Sequence, residues 1–433
     1  MVAPRWVLAL VLALCSCAVA RSDMSVAVEN LRTDYLENPL GLDNPHPRFT
    51  WELSASPGAA IARAIKQTSY RIRVGDKGSA DGTVWDSGVV ASAKSYQIKY
   101  AGPALASGTV YHWSVTVEAT AAGRTADVYA VPSSQALFSM GLLTHEAWGG
   151  HFIGCAPSNV THGGPPPLTE GAESPWFRKS FDLPASSAGD ALLYVASVGY
   201  HELTVNGKAA TDAVLLPSIS YLPKRVLYRT YNVSSLLKPG EKNAIGIWAA
   251  TSWAEYPDLH HGVSLSAPLV LVKLQAGSFS LVSDSSWKVR NSTTRHIGGN
   301  WGSGGFGGEA IDERKSIAGW NTAALDDSSW ETVSVRPISG FQGLEISADA
   351  MEPTRRHSSV AAKTIGVPGK PNRAPPPPPG SWLVEMDEVF TGWFEVCVPI
   401  SLLRGTPCLW RTQTSCATYT LLNRWACAVA ERT

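Results

Sequence analysis

The sequence is poor in methionine, with 5 residues in 433, and after its first 20 positions it has no long apolar run. It also has no excess charge, since 36 basic residues balance 36 acidic ones. Without a stretch of about 20 apolar residues, no helix is expected to cross a bilayer. Without net charge or a block of like charges, there is no field to gather nucleic acid or an anionic membrane surface, so neither is expected as a partner. Cysteine is sparse too. Of the 7 residues, Cys155 stands alone in the long middle of the chain, while Cys397, Cys408, Cys416 and Cys427 crowd the end. No C-x-x-C spacing occurs, so neither a zinc site nor a disulfide framework is readable across the main body. What is abundant is Gly (38), Pro (29) and Trp (16), a composition suited to short strands and many turns rather than to a helical bundle.

The first 20 residues have the order of a secretory leader. Arg5 supplies the positive start, Trp6 to Leu14 the short apolar core, and Ala18-Val19-Ala20 a small-residue cleavage site. Cleavage after Ala20, removal of Cys15 and Cys17, and a secreted, extracellular protein are therefore expected. Three sequons, at Asn159, Asn232 and Asn291, are candidate glycosylation sites.

From residue 24 to 140 the sequence is a succession of short alternating runs separated by turn residues. Tyr70-Arg71-Ile72-Arg73-Val74, Tyr96-Gln97-Ile98-Lys99-Tyr100 and the run from Val110 to Val117 each present one apolar face. Roughly seven such runs in about 115 residues match a fibronectin type III or immunoglobulin-like sandwich. A second strand series runs from 145 to 337, with strands expected at Ala191 to Val198, Tyr200 to Val205, Arg225 to Tyr231, Ala244 to Trp248, Leu269 to Leu274 and Trp287 to Arg290. Asn206-Gly207 marks a tight hairpin within it. So many strands without helix periodicity point to a jelly roll, a larger β-sandwich. Residues 338–396 hold the polyproline run Pro375 to Pro379 and two further strand patterns, and read as a partial third β-domain. Residues 397–433 form an aberrant, cysteine-rich tail whose single acidic residue is Glu431. The expected fold class is all-β.

Short motif matches carry little chemistry. Residues 302–307 fit G-x-G-x-x-G but lack the flanking strand and helix that make such glycines a phosphate cradle. His145-Glu146 has no second histidine at zinc-helix spacing, and no G-x-S-x-G elbow occurs. Carboxylates are the stronger candidates, because glycosidic hydrolysis uses two of them flanking the sugar. Glu309, Asp312 and Glu313 cluster beside a Gly pair, and Asp326-Asp327 form a second group. The alternative for both groups is that they hold turns or basic neighbours. Trp253, Tyr256, His260 and His261 occupy a polar, Pro-containing stretch where rings can stack on a pyranose face. The candidate carbohydrate-binding residues are thus Trp253, Tyr256, His260, His261, Glu309 and Asp312; no catalytic residue and no metal ligand is assigned.

Taken in order, these runs resemble a known family. Asn30-Leu31-Arg32, Asn38 to Asp43, Pro47 to Trp51, Val84 to Gly88 and Tyr111-His112-Trp113 resemble the fibronectin-like first domain of bacterial-type α-L-rhamnosidases of glycoside hydrolase family 78. Trp148 to Ile153, Pro175 to Phe181, Gly199 to Leu203 with Asn206-Gly207, Leu227 to Tyr231, Gly308 to Asp312 and Gly319-Trp320 are similar to the jelly roll that follows it. Thr391-Gly392-Trp393 and its surroundings look like the start of a further sandwich. The resemblance covers about Met24 to Val396. In the family an (α/α)₆ barrel carrying the acid and base of an inverting reaction comes later, and no position here matches it. The resemblance therefore implies the non-catalytic front part of a secreted α-L-rhamnosidase acting on terminal L-rhamnose of glycosides or polysaccharides, inactive by itself. The alternative is a stand-alone secreted carbohydrate-binding protein. No cofactor is implied except Ca²⁺ in the jelly roll, as in some modules of the family.

Overall fold

The computed structural model describes residues 26–55, 65–120, 129–155, 172–251, 254, 268–297, 308–336 and 343–356, together with short strand segments at 364–366, 382–385, 394–395, 416–417 and 427–428. The chain is nearly all β, in several sheets, and divides into two compact units.

The first unit comprises most of the chain up to Ser139. Its three-stranded sheet joins Val26–Thr33, Arg48–Ala55 and Ile98–Lys99. Its five-stranded sheet centres on Lys66–Gly75 and Val110–Thr120, paired antiparallel from Lys66 opposite Thr120 to Gly75 opposite His112. In Val110–Thr120 burial alternates at every position, because Tyr111, Trp113, Val115, Val117 and Ala119 all face the core. Phe49 of the smaller sheet meets Trp113 of the larger at 4.5 Å between ring centroids, and Trp51 meets Tyr70 edge-on at 5.3 Å. The Trp51 indole N–H donates to Gln67 Oε1 (2.9 Å), and Gln67 in turn donates to the Ser92 and Lys94 carbonyls, so the buried amide is satisfied. One expectation is corrected here. The run from Tyr96 to Tyr100 is not one strand: only Ile98–Lys99 pairs, because Gln97 sits at φ 53° and breaks the extended backbone.

The second unit is a two-sheet sandwich. One sheet runs Lys208–Ala209, Tyr200–Val205, Lys242–Ala250, Ala172–Asp182, Lys288–Ile297, Gly308–Ile311, with Glu331–Thr332 also on Lys288–Ile297. The other runs Ser334–Arg336, Phe152–Gly154, Leu269–Ala276, Ala191–Val198, Arg225–Asn232, Glu345–Ala348, with Phe279–Val282 on Leu269–Ala276. All pairings are antiparallel except that of Arg225–Asn232 with Glu345–Ala348, which is parallel. Their inner faces share one core, to which Phe177, Leu203, Ile245 and Ile247 come from the first sheet and Leu193, Val195, Val270 and Val272 from the second. The Asn206-Gly207 hairpin forms as expected, both residues having positive φ (51° and 79°) as a type I′ turn requires.

Ala191–Val198 is buried at all eight positions. Leu193 and Val195 face the core, while Tyr194 and Ala196 face the opposite way, beside Tyr228. Trp148 closes on Tyr228 edge-on (5.2 Å), and Leu40–Asp43, which belongs to this unit, brings Asp43 to accept a hydrogen bond from the Tyr228 hydroxyl. A Cβ at Gly141 would collide with that same hydroxyl, so the approach needs glycine.

On the outer face of the first sheet lies a buried guanidinium. Arg178 Nε pairs with Asp327 Oδ2 (2.8 Å), and its Nη atoms donate to the carbonyls of Trp320 (3.1 Å) and Leu325 (3.2 Å). Trp320 stacks on Trp176 at 4.9 Å. Gly246, beside Arg178 in register, leaves room for this covering segment, since a Cβ there would strike Asn321 and Trp320. Asp327 is thus one of the carboxylates that holds a basic neighbour. Arg178→Met should lower unfolding free energy by about 3 kcal/mol in urea titrations, because Asp327 and two carbonyls lose their donor. Asp312→Asn, at an exposed pair, should leave the urea midpoint unchanged.

Beyond Arg356 the described residues are short paired strands: Thr364–Gly366 on Trp382–Glu385, which also pairs Cys427–Ala428, and Phe394–Glu395 on Cys416–Ala417.

Candidate functional site: a cavity at the edge of the sandwich

A cavity of about 670 Å³ opens in the second unit along Tyr200–Val205. At Tyr200–Leu203 this strand has a sheet neighbour on one side only, because the hairpin return pairs just Thr204 and Val205. Chain turning away after Ala209 walls the space. Ala210 N–H donates to the Leu203 carbonyl (2.9 Å) and His201 N–H to the Leu216 carbonyl (2.8 Å), so Ala210–Leu216 stays against the strand. Val214 N–H donates to the Thr354 carbonyl (2.9 Å), and Ala213 bridges Arg355, which sets Arg356 in the lining.

Two chemistries meet in this lining. His201 and Tyr231 form its inner end, and their rings are buried. His201 Nδ1 lies 2.8 Å from Ser197 Oγ and Nε2 lies 2.7 Å from the Tyr231 hydroxyl, so each ring nitrogen has a partner and a neutral imidazole is satisfied. Burial, reinforced by the charge of Arg229, pulls the His201 pKa down to about 3. Burial likewise raises the Tyr231 hydroxyl. Nearer the opening stand Glu202, Thr204, Thr211, Asp212 and Arg356. Solvent reaches Glu202, yet the cavity walls crowd it and raise its carboxyl, while nearby Arg356 acts in the opposite direction. Asp212 accepts a hydrogen bond from Arg355 in an exposed ion pair. The lining combines carboxylate acceptors, hydroxyls and a guanidinium with apolar groups of Leu203, Ala210, Val214 and Leu216, around a space large enough to admit a sugar, the mixture that holds a ligand with polar and apolar faces. It does not suit Ca²⁺: both carboxylates face a guanidinium, and among the described residues no group of three or more His, Cys, Asp or Glu converges on a point.

Of the residues singled out in the sequence, those whose side chains the structure describes are not among the residues lining the cavity. Trp253, Tyr256, His260, His261 and Asn159 lie outside the described residues. Glu309 takes its place opposite His296 in the strand Gly308–Ile311, with its side chain outside the described set. Asp312 is bound bidentately by Arg314 (2.7 and 2.8 Å), which lowers its pKa. Its carboxylate also accepts from the Arg314 backbone N–H, so it serves its own turn and is not among the cavity residues. Asn232 and Asn291 are exposed, Asn232 at a strand end where its Oδ1 accepts from Ser234 N–H and Oγ. The cavity residues were legible only as hairpin residues; the available signal was a histidine at an inward position of the alternating run Tyr200–Val205.

Two family models match, in order: a Rha78A-like N-terminal immunoglobulin domain over residues 28–144, and the α-L-rhamnosidase N-terminal domain over residues 186–358. This chain carries the N-terminal region of the α-L-rhamnosidase family. Two α-L-rhamnosidases of Formosa agariphila are 26% and 27% identical to it, over 76% and 83% of this chain and 34% and 38% of theirs. The chain therefore spans about a third of the length of these rhamnosidase relatives. Among solved structures, an α-L-rhamnosidase from Dictyoglomus thermophilum matches with TM-score 0.65 at 26% identity, covering 86% of this chain and 39% of that one. The Streptomyces avermitilis α-L-rhamnosidase, solved with L-rhamnose, matches with TM-score 0.68 at 20% identity over 86% and 50%, a likeness of fold.

The buried imidazole gives a direct test. With a folded-state pKa far below the ordinary 6.5, His201 contributes stability fully above pH 6.5, and this is lost as pH falls toward 3, by up to about 1.4 kcal/mol per pH unit. In NMR titration the His201 ring resonances should hold their neutral positions down to pH 4; titration near 6.5 would contradict the buried network.

Proposed function

We propose that this chain is the sugar-binding N-terminal region of a secreted α-L-rhamnosidase-like glycoside hydrolase, acting on rhamnose-containing glycosides or polysaccharides and inactive by itself. The observation that carries the reading is the edge cavity within the second unit, lined in part by carboxylates, hydroxyls and a guanidinium, in a chain whose two family domains follow in order. The family supplies the ligand class, and the lining supplies acceptors and donors for sugar hydroxyls. Glu202 and Asp212 are the cavity's two carboxylates. Hydrolysis by inversion needs one protonated acid and one free base about 6.5 to 9.5 Å apart across the sugar. Here Arg355 engages Asp212, and Arg356 stands near Glu202, an arrangement that favours grip over turnover. The leader ending at Ala20 supports secretion, and the exposed amides of Asn232 and Asn291 are the places where a glycosylating host attaches glycans. A second reading, a stand-alone carbohydrate-binding protein, is favoured by the confinement of the cavity to one unit.

Calorimetry on the purified chain should show binding of L-rhamnose, weakened about tenfold by Glu202→Gln through loss of a charge-assisted hydrogen bond. The same chain should release no p-nitrophenol from p-nitrophenyl α-L-rhamnoside. Undiminished binding by the Gln variant would displace the cavity from this role, and robust turnover would make the chain an enzyme in its own right. N-terminal sequencing of the secreted product should begin at Arg21.

A further inference from the structure

In the smaller sheet of the first unit, Phe49 and Trp51 point into the core, so alternation sends Arg48, Thr50 and Glu52 to the opposite face. Charge is sorted along that face. At one end Glu29 stands opposite Glu52. At the other end Arg48 stands directly opposite Lys99, and Arg32 takes the place opposite Thr50. Like charges facing each other across two strands are destabilising, and Asp34 offsets only one of this basic pair, through its 2.9 Å contact with Arg48 Nε. Lys99 is exposed and has no ion pair among the described residues. Two exposed tyrosines accompany the basic groups. Tyr35 occupies the second central position of a two-residue turn that Thr33 and Leu36 close with paired backbone hydrogen bonds, at φ 75°, where glycine is the favoured residue. Its ring is 62% exposed, with the Arg48 guanidinium 5.1 Å from the centroid, and Arg32 Nη1 donates to its carbonyl (3.1 Å). Tyr96 is 63% exposed, with Lys94 Nζ 5.5 Å from its centroid. The residues on either side of Tyr96 are tied to the strand that carries Arg48, since the Ser95 carbonyl accepts from Trp51 N–H (2.9 Å) and Gln97 N–H donates to Thr50 Oγ1 (3.1 Å).

We propose that this part of the first unit binds an acidic polysaccharide, a chain of uronate sugars whose carboxylates pair with Arg48, Lys99 and Lys94 while its pyranose rings lie on Tyr35 and Tyr96. The inference does not depend on the cavity of the second unit. A tyrosine ring with a cation beside it complements a pyranose, which is apolar on its faces and, in a uronate, carries a carboxylate at its edge. The spacing of the two tyrosines along one strand favours an extended ligand over a single small anion. Duplex nucleic acid fits less well, because a charge every ~1.7 Å of its axis would bring phosphates against Glu29 and Glu52 at the far end of the same face. A uronate chain carries one charge per sugar, and its hydroxyls can donate to those glutamates.

The test measures binding of polygalacturonate, its fully methyl-esterified form and duplex DNA to the full chain by calorimetry at low salt. Polygalacturonate should bind about tenfold more tightly than the neutral ester, and its affinity should fall as NaCl is raised. Lys99→Gln should weaken it about fivefold through loss of one charged contact. Tyr35→Gly, which suits the positive φ and so keeps the turn, and Tyr96→Ser should each weaken it about threefold. Lys66→Gln, at an exposed position on the other sheet of the same unit, should leave it unchanged. Saturating L-rhamnose should not displace the polymer. Equal binding of polymer and ester, DNA bound as tightly as polygalacturonate, displacement by L-rhamnose, or polymer binding that survives both Lys99→Gln and Tyr35→Gly overturns the proposal. So does binding of none of the three, a result that leaves L-rhamnose binding in the cavity to be judged by its own titration.

Discussion

The ion pair between Arg229 and Asp349 is the constraint on which the candidate site depends. Asp349 is almost wholly shielded from solvent, so its charge survives only with partners, and it has them in Arg229, Ser218 N–H and Met351 N–H. Those partners belong to three different stretches of chain. The pair thereby fixes the end of the parallel edge strand Glu345–Ala348, the strap after Leu216 and the strand Arg225–Asn232 in one arrangement. The cavity lies among the same stretches. Arg229 also adds its field to the burial that keeps His201 neutral within the network Ser197–His201–Tyr231.

The sandwich makes such a site affordable by being rigid on both sheets. Ala191–Val198 is enclosed on both faces, and Ala172–Asp182 is capped by the segment that Arg178 holds. With the middle of each sheet immobilised by packing, irregular chain can be carried at the edges, where Tyr200–Leu203 lacks a second neighbour. The proposed sugar site would gain from this, because groups held in place before a ligand arrives lose less freedom on binding.

Much of the fold was legible in the sequence where side-chain periodicity is local. Val110 to Val117 alternates as its burial does, and Asn206-Gly207 announces its hairpin through backbone chemistry alone. Where a single backbone angle interrupts a pattern, as at Gln97, alternation misleads, since glutamine carries no signal of positive φ. The site was less legible for a different reason. His201 and Glu202 are neighbours on a strand and read as a hairpin arm, but Asp212, Tyr231 and Arg356 join them only through the path of the strap and the closing segment. No spacing encodes that convergence. Asp312, conspicuous in sequence beside a glycine pair, instead serves Arg314 two residues on.

The central claim is that the edge cavity of the second unit is where sugar binds. Backbone amide shifts of the isotopically labelled chain, recorded by NMR during titration with L-rhamnose, address it most directly. The account predicts saturable shifts concentrated at Glu202, Thr211, Asp212 and Arg356. Shifts confined to the first unit, or a spectrum unchanged at saturating sugar, would contradict it.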